Sequence, residues 1–325
     1  MSATSISVPE TLAELLTPEW LNAALSTRFP GVNVTGVTPG PIVERVSTNA
    51  RFKIEGDIPA GLPAALCAKG YFSEAGRTSA AASVPEVSFY RDLAPLLKLR
   101  VPEVHVALHD HADDSFVLLM EDLDASGCVV SDGLLGVDAD LAASALEGLA
   151  EIHVRYEDPA VRAAEAGWVP RPRFGSTYGS DMLQYGLDHH RDRLSDAFAA
   201  ISDIYIHQGR ALHELFTSGP PTVIHGDTHI GNLFFERDTI GFLDWGIINC
   251  NTPMREVSYF LTMAMDIEER RRAEDDLLRH YLAARRAFGG HEITLDDART
   301  AHSVHAAYCV PASCQVVTFP AGMSE

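Results

Sequence analysis

Between Val223 and Trp245 the chain alternates apolar runs with polar turns so regularly that few local structures accommodate it. Val223-Ile224 is a short apolar run, and the eight residues from His225 to Asn232 form a tight polar loop. Leu233-Phe234-Phe235 is a second apolar run, Glu236 to Asp238 a charged turn, and Thr239 to Leu243 a third run that ends in Asp244-Trp245. The pattern predicts a strand, a loop and then a β-hairpin, which returns Asp244 toward the loop carrying Asp227 and Asn232. Gly226 and Gly231 permit the backbone angles that such a loop requires. Two carboxylates and a carboxamide gathered this way suit one chemistry well. Asp227 can accept a proton from a hydroxyl, while Asn232 and Asp244 offer hard oxygen ligands to Mg²⁺ on a nucleoside triphosphate. Such a transfer asks mainly for positioning and charge neutralisation, so base and metal ligands must sit close together on rigid backbone.

A rival arrangement uses the same residues. His225, Asp227 and His229 alternate, so on a strand they would share a face and could bind zinc, as in a metal-dependent hydrolase. That reading lacks further ligands, and Asp244 is flanked by strand-like apolar sequence rather than more histidine.

The spacing of Asp227 and Asn232, with a later acid on a hairpin, is shared with the protein-kinase catalytic loop. The form His225-Gly-Asp-x-His-x-Gly-Asn232, with Asp244-Trp245 in place of Asp-Phe-Gly, resembles the aminoglycoside phosphotransferase and choline kinase family. Within that family it looks most like the ecdysteroid-kinase-like branch. The resemblance implies an α+β, two-lobed protein-kinase-like fold, with a small antiparallel-sheet lobe and a larger, mainly helical lobe. The boundaries expected are a helical extension over 1–31, a nucleotide-binding lobe over 32–124 with a hinge near 120–124, and a catalytic and acceptor-binding lobe over 125–325. The implied activity is that of a small-molecule kinase, which moves the γ-phosphoryl of ATP or GTP, with Mg²⁺, to a hydroxyl of a small-molecule acceptor. The alternative within the same fold is a nucleotide-binding pseudokinase that serves as an interaction module.

Further positions follow from the resemblance. Three lysines, Lys53, Lys69 and Lys98, stand against twenty-two arginines, so a lysine kept here is a candidate for a role that only lysine fills. Lys69 ends the strand-like run from Ala64 and falls where the family has its nucleotide-phosphate lysine. A compact ammonium there contacts phosphate as a point charge. Glu86 begins a predicted helix over 85–93, with Pro85 in its first turn, and matches the glutamate that pairs with that lysine. No glycine-rich loop precedes Lys69; the polar turn with Ser47, Thr48 and Asn49 takes that position, and turn amides can cradle phosphate. Glu121 and Leu123 close an apolar strand at the expected hinge, where their backbone would meet the adenine edge. His153 and His225 are expected to support the catalytic loop, and Glu256 stands where the family usually has a bracing aspartate. The acceptor pocket is expected around Tyr178 to Tyr185 and Cys309 to Phe319.

The rest of the chain reads as helices over 17–25, 139–156, 181–215, 268–288 and 296–307, with residues 1–8 polar and loose. A net charge of −20 disfavours a nucleic-acid partner and favours a cationic or neutral substrate. No apolar segment is long enough to span a membrane, and no secretory signal is evident, so no membrane partner is expected. Five scattered cysteines suit a reducing, cytoplasmic setting.

Three single variants test this alignment. Lys69→Arg should lose most nucleotide turnover, because a planar fork does not replace a compact ammonium. Lys53→Arg and Lys98→Arg should leave turnover nearly unchanged. Equal behaviour of all three in a turnover assay would place the third strand elsewhere.

Overall fold

A computed structural model describes residues 6–44, 47–72 and 83–318. Arg45 and Val46 of the polar turn, residues 73–82, and Phe319 lie outside the described residues. The chain forms two compact units. One comprises the residues up to Val130 with 234–237 and 241–247; the other comprises 131–233, 238–240 and the remainder from Ile248.

The first unit is built on a five-stranded antiparallel sheet in the order β1-β2-β3-β5-β4. Its strands are β1 (Asn33–Glu44), β2 (Thr48–Asp57), β3 (Ala65–Gly70), β4 (Val104–His109) and β5 (Phe116–Glu121). Alternation along each strand separates two faces. Phe52, Ile54, Leu66, Ala68, Val117 and Leu119 pack with Leu15, Trp20, Leu21, Leu25 and Phe29. These partners come from α1 (Leu12–Leu15), α2 (Pro18–Leu25) and the turn that follows. Thr17 caps α2 by accepting from the Trp20 N–H, and Pro18 occupies the first turn, where a missing N–H leaves nothing unpaired. Asn22 fastens α2 to the sheet edge, donating to the Val34 carbonyl at 2.8 Å and accepting from the Val34 N–H at 2.7 Å. Residues 6–8, expected to be loose, are docked. Trp20 Nε1 donates to the Ser7 carbonyl at 3.2 Å, and Ile6 and Val8 pack on the same core.

The opposite face of the sheet carries different chemistry. Asn49 lies across from Lys69, Arg51 across from Cys67, and Lys69 and Cys67 across from Leu118 and Met120. The helix expected over 85–93 begins as α3 (Ser83–Ser88) and then widens into a π turn over Phe89–Leu93. Single π turns of this kind recur at functional sites. Here the wide turn accompanies burial of the adjacent Phe89 and Tyr90. Phe89 lies flat on Trp245, with ring centroids 3.6 Å apart and planes 5° from parallel. The expected hairpin is present as β8 (Leu233–Glu236) and β9 (Thr239–Phe242), joined by β6 (Val129–Val130) in the order β6-β8-β9.

The second unit is mainly helical. The long helix α4 (Ala139–Arg155) is capped by Asp138, which accepts from the Leu141 N–H at 2.9 Å, and it packs along α9 (Ile267–Ala287). Between them in sequence come α5 (Pro159–Glu165), α6 (Tyr178–His189), α7 (Asp196–Phe216) and α8 (Pro253–Ala264). The span 181–215 thus resolves into two helices, the second kinked at Gln208. The chain continues with α10 (Leu295–Ala306) and α11 (Val310–Thr318). Residues 246–253 contain a short strand, β10 (Asn249–Asn251), paired antiparallel with β7 (Thr222–Ile224). Asn-Cys-Asn has no apolar alternation, so only this pairing makes it a strand. Among the described residues no helix is long and apolar enough to cross a membrane.

The Phe89–Trp245 stack should be measurable. Trp245→Ala is expected to destabilise the sheet unit by about 3–5 kcal/mol, the usual cost of truncating a buried aromatic. Trp245→Phe should recover most of that loss in chemical denaturation, since a smaller ring still stacks.

Candidate active site

In the sheet unit the strand register and the hairpin gather three predicted residues. Lys69 Nζ lies 2.7 Å from Glu86 Oε1 and 3.6 Å from Asp244 Oδ1. Burial alone would pull the Lys69 pKa down, but the charges of Glu86 and Asp244 outweigh it and hold the pKa above 10.5, so the group is an ammonium. Glu86 is buried, whereas Asp244 keeps more than half of its side chain exposed. Asp244 adopts φ +59°, a left-handed backbone uncommon outside glycine and tolerated best by Asp and Asn. Immediately after it, Trp245 clamps against Phe89 of the helical segment that carries Glu86. The stack thereby ties the end of the hairpin to the partner of Lys69, a link that the sequence did not announce.

Of the polar-turn residues, Asn49 shares the Lys69 face of the sheet and is half-buried. Thr48, directly across from Gly70, is buried on the other face, and Ser47 lies just before β2. At the end of β5, the Glu121 N–H donates to the Glu103 carbonyl at 2.9 Å, and the Leu123 carbonyl accepts from the Cys128 N–H at 2.8 Å. The Glu121 carboxylate is itself occupied. It accepts from Arg100 Nη1 at 2.6 Å and from the Glu103 N–H at 2.9 Å. Burial would raise its pKa, but these hydrogen bonds outweigh burial and lower it. Arg100 also pairs with Glu236 on β8 at 2.6 Å and lies over the Phe234 ring. It therefore joins the strand end at 121 to the hairpin, a role with no local sequence signal.

In the helical unit the loop from His225 to Asn232 is held from beneath by Glu256. This carboxylate accepts from the Gly226 N–H at 2.8 Å, from the His225 N–H at 3.1 Å and from His153 Nε2 at 2.9 Å. His153 and Glu256 are both sealed from solvent. Burial lowers the His153 pKa, so the ring is neutral, with its Nε2–H given to Glu256 and Nδ1 accepting from the Tyr281 hydroxyl at 2.8 Å. Burial would raise the Glu256 pKa, but the donors from His153 and Gly226 outweigh it and keep the group ionised. Where the family resemblance leads one to expect aspartate, the longer glutamate reaches two successive loop amides and His153 together.

The loop then presents its functional groups. Asn232 Nδ2 donates to the Asp227 carbonyl at 2.9 Å, which fixes the amide and turns Oδ1 the other way. Tyr259, which sequence reasoning missed, donates to Asp227 Oδ1 at 2.8 Å, and His229 Nε2 lies 3.6 Å from Oδ2. His225 Nδ1 accepts from the Asp227 N–H at 3.2 Å, and His229 Nδ1 from the Gly231 N–H at 3.0 Å. With those nitrogens engaged in shaping the loop, His225, Asp227 and His229 do not converge as a zinc site. Among the described residues no cluster of three or more His, Cys, Asp or Glu could hold a metal ion. The Asn232 carboxamide oxygen in the helical unit and the exposed Asp244 carboxylate in the sheet unit are each hard oxygens of the kind Mg²⁺ takes. The two segments expected to line the acceptor pocket pack on each other: Gln315 Nε2 donates to Tyr178 Oη at 3.3 Å, and Cys314 Sγ lies 3.8 Å from the Met182 carbonyl.

A sheet unit holding a lysine between two acids, and a helical unit holding an Asp–Asn loop, define a protein-kinase-like fold. The sequence pattern of the phosphotransferase enzyme family (APH) matches residues 72–291, so the chain belongs to that family and is a phosphotransferase. No curated protein sequence matches it. Solved structures share the fold at low identity. Macrolide 2'-phosphotransferase MphH from Brachybacterium faecium is 16% identical, with 93% of this chain and 95% of that chain covered and a TM-score of 0.52. The amicoumacin kinase hAmiN, solved with AMP-PNP, Ca²⁺ and amicoumacin, is 13% identical over 88% of this chain and 84% of that one, with a TM-score of 0.51. Aminoglycoside 2'-phosphotransferase-IIIa, solved with GDP, is 17% identical over 93% and 92%, with a TM-score of 0.50.

Glu256 gives a test with a definite sign. Its folded pKa lies below the ordinary 4.5, so its contribution to stability is complete above the unfolded pKa and is lost as pH falls through the depressed value. Glu256→Gln should cost about 3 kcal/mol at neutral pH, since it leaves loop donors and His153 mispaired. It should also flatten the acid limb of the stability–pH curve, measured by denaturant unfolding from pH 7 downward.

Proposed function

We propose that the protein is a small-molecule kinase that transfers the γ-phosphoryl of ATP or GTP to a hydroxyl of its acceptor. The observation that carries this reading is Lys69, held as an ammonium between Glu86 and Asp244. Such a lysine contacts nucleotide phosphates, Glu86 fixes its direction, and Asp244 offers carboxylate oxygen to the metal. Asn232 offers Oδ1, because its Nδ2 is committed to Asp227. Bound Mg²⁺ supplies charge neutralisation on the phosphates. Ser47 and Asn49 are assigned to the phosphates, and the Glu121 carbonyl and Leu123 N–H to the adenine edge. The opposite groups of those two hinge residues are already hydrogen-bonded.

Asp227 is the acceptor-side base. It orients the alcohol, and as the acceptor oxygen bonds to phosphorus it takes the hydroxyl proton. The bond from the γ-phosphorus to the bridging oxygen breaks, and the nucleoside diphosphate leaves. Tyr259 donates to Oδ1 of Asp227 and Asn232 Nδ2 donates to Oδ2 at 3.3 Å, and the remaining lone pair of Oδ2 is assigned to the alcohol. His153, Glu256 and His225 keep the loop in shape and take no part in proton transfer. The protein acts in the cytoplasm on a free small molecule, without a nucleic-acid or membrane partner.

Asp227→Asn should reduce transfer by about 10²–10⁴-fold, the usual worth of a general base. Nucleotide affinity should change little, because Asp227 faces the alcohol. Mass-detected phosphate incorporation over a broad alcohol panel is the assay. Near-wild-type transfer by this variant would remove Asp227 from the role, and nucleotide binding without transfer to any alcohol would favour the pseudokinase module.

A further inference from the structure

The face of α8 that brings Tyr259 to Asp227 also carries Arg255, one turn earlier. Arg255 is only 7% exposed, and its Nε is sealed without a hydrogen-bond partner. Its guanidinium lies 3.8 Å over the ring of Tyr308, and Tyr308 in turn packs edge-on against Phe216 and tilted against Tyr259. No ion pair of Arg255 with an acid exists among the described residues. Three other sheltered cations do have acids: Lys69 has Glu86 and Asp244, Arg100 has Glu121 and Glu236, and Arg285 has Glu157.

Among the described residues, the titratable groups found beside Arg255 supply no negative charge. Burial, with the Arg255 charge beside it, lowers the pKa of His305 to about 4, so the ring is neutral. Burial raises that of Cys309 to about 12, so the thiol is neutral as well. The Tyr205 hydroxyl is spent on the Ala307 carbonyl at 2.8 Å. A buried guanidinium without a counter-ion is costly, and an anion supplied from outside the chain would relieve that cost. A planar fork of N–H donors matches the two oxygens of a carboxylate or phosphate.

We propose that Arg255 captures an oxyanion on the acceptor, so that the acceptor is an alcohol also bearing a carboxylate or phosphate. Its carbon skeleton rests against Tyr308, Tyr259 and Phe216. The proposal rests on the reading of Asp227 as the acceptor-side base and names the substrate class for that site. The net charge of −20 favours a cationic or neutral acceptor at long range, but screening confines that influence to about 8–10 Å, and within that distance the unpaired guanidinium decides.

The test uses the full chain with Mg²⁺-ATP and matched acceptor probes. These are para-hydroxymethylbenzoate against its methyl ester, glycerol phosphate against glycerol, and para-aminomethylbenzyl alcohol as the cationic member. Wild type should prefer an anionic member by about 10²-fold in kcat/KM, the worth of a charge-assisted contact. The pair that shows the preference identifies the carboxylate or the phosphate as the source. In Arg255→Met the preference should collapse through KM, and Arg255→Lys should keep part of it. Calorimetric titration of para-hydroxymethylbenzoate and glycerol phosphate reads anion capture without catalysis, and a nucleotide-induced rise in Tm verifies that each variant is folded. Preference for neutral or cationic probes overturns the proposal, as does equal anion binding by wild type and Arg255→Met. A uniform fall across all probes overturns it too, since Arg255 would then serve the transferred phosphoryl. No transfer to any probe while nucleotide binds also counts against it, whereas a wild type that binds no nucleotide refutes the kinase reading itself.

Discussion

One buried carboxylate holds the loop from His225 to Asn232 together. Glu256 accepts two successive backbone N–H groups of the loop and the Nε2–H of a neutral His153, with no solvent in contact. An ionised group in that position is tolerable only because every oxygen is satisfied, and the same fact makes it rigid. The loop's direction sets where Asp227 and Asn232 point, and Tyr259 on the same helix then fixes Asp227 from above. Position in a phosphotransferase is most of catalysis, so a structural carboxylate sets the place of the carboxylate proposed as the base.

The sheet unit solves a similar problem with the opposite sign. Lys69 is sheltered, and burial alone would lower its pKa, yet two acids hold it charged. Those acids reach it from different directions, one on α3 and one after β9, and the Phe89–Trp245 stack locks the two supports together. The π turn that widens the helix at Phe89 is the local distortion that accompanies this contact. In both units charge is placed first and packing then makes the placement permanent.

Much of this was legible in the chain. Strands, hairpin and helices follow from periodicity, because an alternating or helical apolar pattern is a local property that burial then selects. Spacing within one short window marked Asp227, Asn232 and Asp244 as candidates, and rarity marked Lys69. Family membership follows from the same residues with their flanks.

What the tertiary structure alone decided concerns contacts between distant residues. Glu256 could be flagged as unusual in the sequence, but whether its longer side chain still reached the loop depended on how far α8 lies beneath it. β10 exists only because Thr222–Ile224 offers it an edge. Arg100 joins three elements whose residues span 100 to 236, and Arg255 is conspicuous only once no ion pair with an acid is found for it among the described residues. Sequence records which groups are present and how they repeat along the chain. Pairing of charges and stacking of rings depend on three-dimensional distance, which no local pattern encodes.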